Sequence, residues 1–133
     1  MILARRIRHI VVKMLSRIKI CYYRFMGIKI GKGCYISVHA NIDVRRGEIK
    51  IGNNVNISNG SYVLGHVGHE PLEEGGVTII EDNVRIFVNA VILPAIKIGK
   101  NSVVGAGAVV MKDVPPDVVV MGNPARVVRH LET

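Results

Sequence analysis

A branched aliphatic residue returns at every sixth position along much of this chain. From Ile80 the series reads Ile80, Ile86, Ile92, Ile98, Val104, Val110. The next residue is often small or polar, as in Ile98-Gly99 and Val104-Gly105. Small residues recur four places on, at Ala90 and Ala108. A step of six matches neither the 3.6-residue turn of a helix nor a long alternating strand. A fixed short period means a solenoid, in which each repeat is one structural step stacked on its neighbours. The same period runs upstream through Ile30, Ile36, Ile42 and then Ile51, Ile57, Val63. Four triplets predict an all-β fold, a parallel β-helix of about four coils over residues 28–121. Each coil is a triangle of three short strands. The aliphatics point inward and stack roughly 4.8 Å apart from coil to coil.

Two breaks interrupt the count, between Ile42 and Ile51 and between Val63 and Ile80. Both follow the third strand of a coil, so both insertions leave the same edge of the prism. The first holds Arg45, Arg46 and Gly47, just after Asn41 and Asp43. The second, residues 64–76, carries His66, His69 and Glu70. A long excursion from a regular solenoid is the mark of a functional loop. A histidine in a polar loop is ordinarily only an exposed side chain. The shared edge raises these two above that reading, because two loops there can wall one cleft.

Residues 1–27 form a separate N-terminal segment, in which residues 2–26 read as an amphipathic helix. Leu3, Ile7, Ile10, Val11, Met14, Ile18, Tyr22 and Phe25 follow steps of three and four, with Arg6, Lys13, Arg17 and Arg24 on the other side. Two roles are open and compatible. The apolar face can cover the open end of the first coil. A basic amphipathic helix can also make peripheral contact with an anionic membrane. The net charge of +8 belongs to this region: residues 1–42 contain nine Lys or Arg and no acid, whereas the remainder is near neutral. The prism shows no basic surface interleaved with aromatics, which argues against nucleic acid. No apolar run approaches the length of about eighteen that a spanning helix needs. The absence of a secretory pattern and of cysteine spacing for a metal points to a cytoplasmic protein, with a peripheral place on the inner face of a membrane open to it through residues 2–26. Beyond the last coil, Pro115-Pro116 closes the repeat and a strand is expected over Val118–Val120. In the tail, residues 122–133, a short helix is expected from Ala125, with Pro124 in its first turn.

The run I-L-P-A-I-K-I-G-K-N-S-V-V-G-A-G-A-V-V-M-K-D-V-P-P, followed by G-N-P-A-R, resembles the hexapeptide-repeat acetyltransferases, in particular the galactoside, maltose and polysaccharide O-acetyltransferases. The resemblance covers roughly Ile28 to Arg129. It implies a left-handed β-helix, against the usual right-handed crossover. It also implies a homotrimer with acetyl-CoA between neighbouring prisms, each site drawing on two subunits, and no metal. It puts the catalytic base in the loop leaving coil two, matched by His66 with His69 as the alternative. It puts the sugar or glycan acceptor near Asn41, Asp43 and Glu70. CoA is expected against Val88 and the backbone of Gly105 and Ala106, with Lys112, Arg126 and Arg129 near its phosphates. Arg85-Ile86-Phe87 departs from the usual Trp-Ile-Gly, and Ala95 stands where Gly is usual.

The chemistry has its own logic. A sugar hydroxyl is a weak nucleophile and needs a base as it attacks a thioester, and imidazole suits that task at neutral pH. Binding donor and acceptor together allows direct transfer to a sugar or an envelope polysaccharide precursor. Two readings from other classes stand beside it. One is a zinc enzyme of the γ-carbonic-anhydrase type, drawing on His39, His66 and His69. The other is a non-catalytic trimeric scaffold.

Overall fold

The computed structural model describes residues 1–45, 47–66 and 76–132. Among the described residues one helix, α1 (Ile2–Phe25), precedes fourteen short strands. The strands run β1 (Lys29–Ile30), β2 (Tyr35–Ile36), β3 (Asn41–Ile42), β4 (Glu48–Ile51), β5 (Asn56–Ile57), β6 (Tyr62–Val63) and β7 (Val77–Ile80). They continue with β8 (Arg85–Ile86), β9 (Val91–Ile92), β10 (Lys97–Ile98), β11 (Val103–Val104), β12 (Val109–Val110), β13 (Val118–Met121) and β14 (Arg126–His130). From β1 to β12 every third strand joins the same sheet, and β13 and β14 extend the second. The first sheet is β1-β4-β7-β10, the second β2-β5-β8-β11-β13-β14 and the third β3-β6-β9-β12. Among the described residues all pairings between these strands are parallel except β13 with β14.

The register follows the six-residue period. Ile30, Ile51, Ile80 and Ile98 stack in the first sheet. Ile36, Ile57, Ile86 and Val104 stack in the second, and Ile42, Val63, Ile92 and Val110 in the third. Nearly all are buried, and with Ala40, Ala90 and Ala108 they make the core. Corners between the first and second sheets need positive φ, which Asn tolerates better than other side chains that carry a β-carbon. Asn54, Asn83, Asn101 and Asp117 take that position in successive turns. Their side chains form a ladder: Asn54 donates to Asn83 at 3.4 Å, Asn83 to Asn101 at 3.0 Å, and Asn101 to Asp117 at 2.7 Å.

The first coil has no coil beneath it, so its inter-coil donors and acceptors need other partners. The helix α1 supplies them with polar side chains. Ser16 Oγ accepts from the Ile36 N–H at 3.0 Å and Tyr23 Oη from the Ile42 N–H at 3.1 Å. Lys19 donates to the carbonyls of Ser37, Val38 and Ala40, and Arg24 to those of Ile30 and Gly31. The helix is therefore an end cap, but not through the stripe that the sequence pattern marks. Its buried residues are Ser16, Ile20 and Tyr23. Leu3, Ile7, Ile10, Val11, Met14, Ile18, Tyr22 and Phe25 are exposed.

The other end corrects an expectation. The expected C-terminal helix is instead β14, antiparallel to β13. As the last parallel strand of its sheet, β13 offers an edge of unpaired backbone groups, and Val127-Val128 suit a strand better than a short isolated helix. Between β12 and β13, Val114 bridges to Ile98; between β13 and β14, the Gly122 carbonyl accepts from the Val109 N–H and the Ala125 N–H donates to the Val109 carbonyl. A partial further turn thus covers the fourth coil.

Ala95 sits at φ 59°, a conformation costly for an L residue. Ala95→Gly is expected to raise stability by about 0.5–1 kcal/mol, after Gly's own entropic cost, seen as a higher urea midpoint. Ser16→Ala strips the Ile36 N–H of its acceptor and should cost about 1–3 kcal/mol in the same assay.

Candidate active site

The two insertions meet at the edge between the third and first sheets. A β-carbon on Gly47, which has φ 82°, would collide with the Gly65 carbonyl, so only glycine lets the loops approach this closely. The second loop is rooted by the Leu64 N–H on the Ile92 carbonyl at 3.0 Å. Thr78 Oγ1 then donates to the Leu64 carbonyl at 3.2 Å. Two residues on, His66 Nδ1 lies 2.5 Å from Asp43 Oδ2. The pair is sheltered: the Asp43 side chain is 2% exposed and that of His66 11%. The backbone N–H and the Nε of Arg45 both donate to Asp43 Oδ1 at 3.1 Å.

Burial alone would raise the Asp43 pKa. The hydrogen bonds from the Arg45 backbone, the Arg45 guanidinium and His66 outweigh it, and the carboxyl is held below its ordinary value of 3.8. As a carboxylate it accepts the Nδ1–H of His66. That leaves Nε2 with the free lone pair, the tautomer a general base requires.

This geometry changes the part expected of Asp43. It was expected beside Asn41, holding acceptor hydroxyls. Its oxygens are instead committed to His66 and Arg45, while Asn41 is exposed, in register with Tyr62 on the third sheet. Arg45 was not singled out from sequence; its place in the insertion after Asp43 was the available signal. His69 and Glu70 lie outside the described residues.

The donor-side residues divide. Val88 and Ala106 are exposed at the corner between the second and third sheets, where the Gly107 N–H bonds to the Val88 carbonyl at 2.9 Å. Gly105 is closed to ligand: it is buried, its N–H donates to the Val120 carbonyl, and its own carbonyl accepts from Ala108. The partial turn that follows coil four covers it. Lys112 is exposed, two coils above His66 and just after the third-sheet strand β12. Arg126 and Arg129 are exposed on β14. Among the described residues none of these three cations forms an ion pair. Arg85 and Phe87, the departures from the usual motif, line one groove with Arg129 on the outer face of the second sheet. A further cation thus stands on the Arg129 side, at a position where sequence only marked an anomaly. His39 lies in the turn between the second and third sheets, on a different edge from His66, and one chain does not gather the two.

The comparisons agree with this architecture. The family profile described as bacterial transferase hexapeptide (six repeats) matches residues 77–112. The galactoside O-acetyltransferase of Escherichia coli is 40% identical over 111 residues, 78% of this chain and 54% of that enzyme. The crystal structure of a maltose O-acetyltransferase from Clostridium difficile is 30% identical with a TM-score of 0.59, covering 80% of this chain and 67% of that one. The chain belongs to the hexapeptide-repeat transferases. Another hexapeptide-repeat acetyltransferase, from Vibrio cholerae and complexed with acetyl coenzyme A, superposes with a TM-score of 0.70 at 33% identity, over 80% of this chain and 61% of that one. This hexapeptide-repeat transferase spans about half the length of the Escherichia coli enzyme.

Because the folded-state pKa of Asp43 is depressed, its contribution to stability is present above the unfolded value and is lost as pH falls through the folded one. Asp43→Asn is expected to cost about 1–3 kcal/mol at neutral pH. The gap from wild type should narrow once pH drops below 3.8, as measured by urea unfolding at pH 7 and pH 3.

Proposed function

We propose that the protein is an acetyl-CoA-dependent O-acetyltransferase that modifies a hydroxyl of a sugar or of an envelope polysaccharide precursor. The observation that carries this reading is the sheltered His66–Asp43 pair, at the edge from which both loops leave, in a chain of the hexapeptide-repeat transferase family. The family relatives named for galactoside and maltose support a carbohydrate acceptor. The Vibrio relative, complexed with acetyl coenzyme A, supports the donor.

In this mechanism His66 Nε2 takes the proton of the acceptor hydroxyl as its oxygen attacks the thioester carbonyl carbon. The carbon–sulfur bond breaks, the acetyl group passes to oxygen, and the departing thiolate recovers the proton from His66. Asp43 is a positioning residue, holding the imidazole and stabilising its protonated form, while Arg45 holds Asp43. Asn41 remains a candidate contact for the acceptor. Lys112, Arg126 and Arg129 meet the CoA phosphates by charge-assisted hydrogen bonds. Exposed Val88 and Ala106 give the pantetheine arm a narrow, apolar rim.

The base lies on one edge of the prism and Val88 and Ala106 on another. That separation supports a homotrimer in which a neighbouring prism completes each site. A left-handed winding belongs to the same reading. The free cysteines Cys21 and Cys34 fit a cytoplasmic location.

The test combines titration calorimetry with turnover. CoA should bind with a micromolar Kd, weakened about tenfold or more by Arg126→Ala, the loss of one charge-assisted contact. With an acetylated sugar product as readout, His66→Ala should keep CoA affinity and lose about 100- to 10,000-fold in kcat. Asp43→Asn should lower kcat with little change in CoA affinity. No binding at millimolar CoA would overturn the donor assignment. A His66→Ala enzyme at the wild-type rate would overturn the base.

A further inference from the structure

The cap uses only one side of α1. The side chains that bond or bury against the first coil are Ser16, Lys19, Ile20, Tyr23 and Arg24, all in its second half. The first eleven residues of the chain are all exposed. At about 100° per residue the apolar stripe lies on the opposite side of the helix from Ser16, Ile20 and Tyr23. It stays open along its whole length: Ile10 is 64% exposed, Ile18 59% and Phe25 86%. Nine large apolar side chains from Leu3 to Phe25 thus form a continuous band roughly 33 Å long. Bands of this size on a protein surface mark a contact.

The charges say what kind. Along the same wheel, Arg6, Lys13 and Arg17 line one margin of the stripe and Arg8 the other. None of these four forms an ion pair among the described residues. The helix has seven Lys or Arg and no Asp or Glu. If helices from copies of this chain packed stripe to stripe, each would bring those cations against the others with no acid to pair them. A surface that is apolar inside and anionic at its rim matches both parts of the pattern.

We propose that α1 docks the protein on an anionic lipid bilayer, its outward stripe lying in the headgroup boundary and its flanking cations on lipid phosphates. Among the described residues no helix is long and apolar enough to cross a membrane, so the helix lies in the interface plane. The cap then acts as a rigid mount, since the same helix is tied to the first coil through Ser16, Lys19, Tyr23 and Arg24. The prism stands on the bilayer with its catalytic edge free.

Flotation of the full chain with vesicles tests this without reference to acetyl transfer. The vesicles are equal phosphatidylglycerol and phosphatidylcholine, or phosphatidylcholine alone. The protein should float with the anionic vesicles, not with the neutral ones, and less as salt rises. Ile7→Ser/Ile10→Ser/Ile18→Ser should weaken anionic-vesicle binding about tenfold or more. Arg6→Gln/Lys13→Gln/Arg17→Gln should weaken it roughly fivefold per cation removed. Light scattering and thermal melts should show both variants with the wild-type oligomeric state and stability. Three results would each overturn the proposal: no flotation with anionic vesicles, unchanged flotation of the isoleucine variant, or dissociation of the assembly by that variant. The last would mean that copies of the chain cover the stripe.

Discussion

In a stacked solenoid every strand residue turns its backbone toward the coil above or the coil below. Each interior coil is satisfied by its neighbours, and the two end coils are not. That debt at the ends shapes most of what lies outside the repeat. At one end α1 stands in for a missing coil, side chain by side chain: two hydroxyls accept strand N–H groups, and a lysine and an arginine reach the carbonyls. At the other end Val114, β13 and the Gly122–Ala125 turn lay down most of a further coil. The remaining strand edge is then closed by β14.

The same constraint separates what was legible in the sequence from what was not. The repeat positions were legible because a two-residue strand offers one inward side chain per face, and Ile or Val at each sixth place leaves no other register. The ends were not. Hydrophobic periodicity marks the most apolar side of α1, and in a bundle that side would be buried. Here the end of the coil demands hydrogen-bond partners, so the polar side, with Ser16 and Lys19, turns inward. The C-terminal tail was misread for a related reason. Pro124 followed by a few residues resembles a helix start locally, but the unpaired edge of β13 outweighs so short a helix.

The candidate site was half legible. His66 and Asp43 were both marked by the shared edge of the two insertions. Their pairing was not, because 23 residues and a full coil separate them in the chain. Contact depends on how closely the loops can approach, and that is decided by Gly47, where a side chain would collide with the backbone carbonyl of Gly65. Gly105 fails in the opposite direction. Its lack of a side chain invites a ligand in sequence, while in the fold that space accepts the next turn of the chain, with Met121 packed over it.

A triangular prism with two-residue faces has little room to gather a site. Residues on one corner stack readily with their equivalents a coil away, whereas residues on different corners are held apart by the core. His66 and Asp43 belong to the edge with insertions, and Val88 and Ala106 to an edge without them. No rotamer change within one chain brings these two sets together, because Ile42, Val63, Ile92 and Val110 fill the space between them. In the proposed mechanism a neighbouring prism sets its own donor edge against this base edge. On that view the rigidity of the core, which limits what one chain can assemble, also holds the parts of a shared site at fixed distances. Two ligands can then meet in line without a loop having to fold around both.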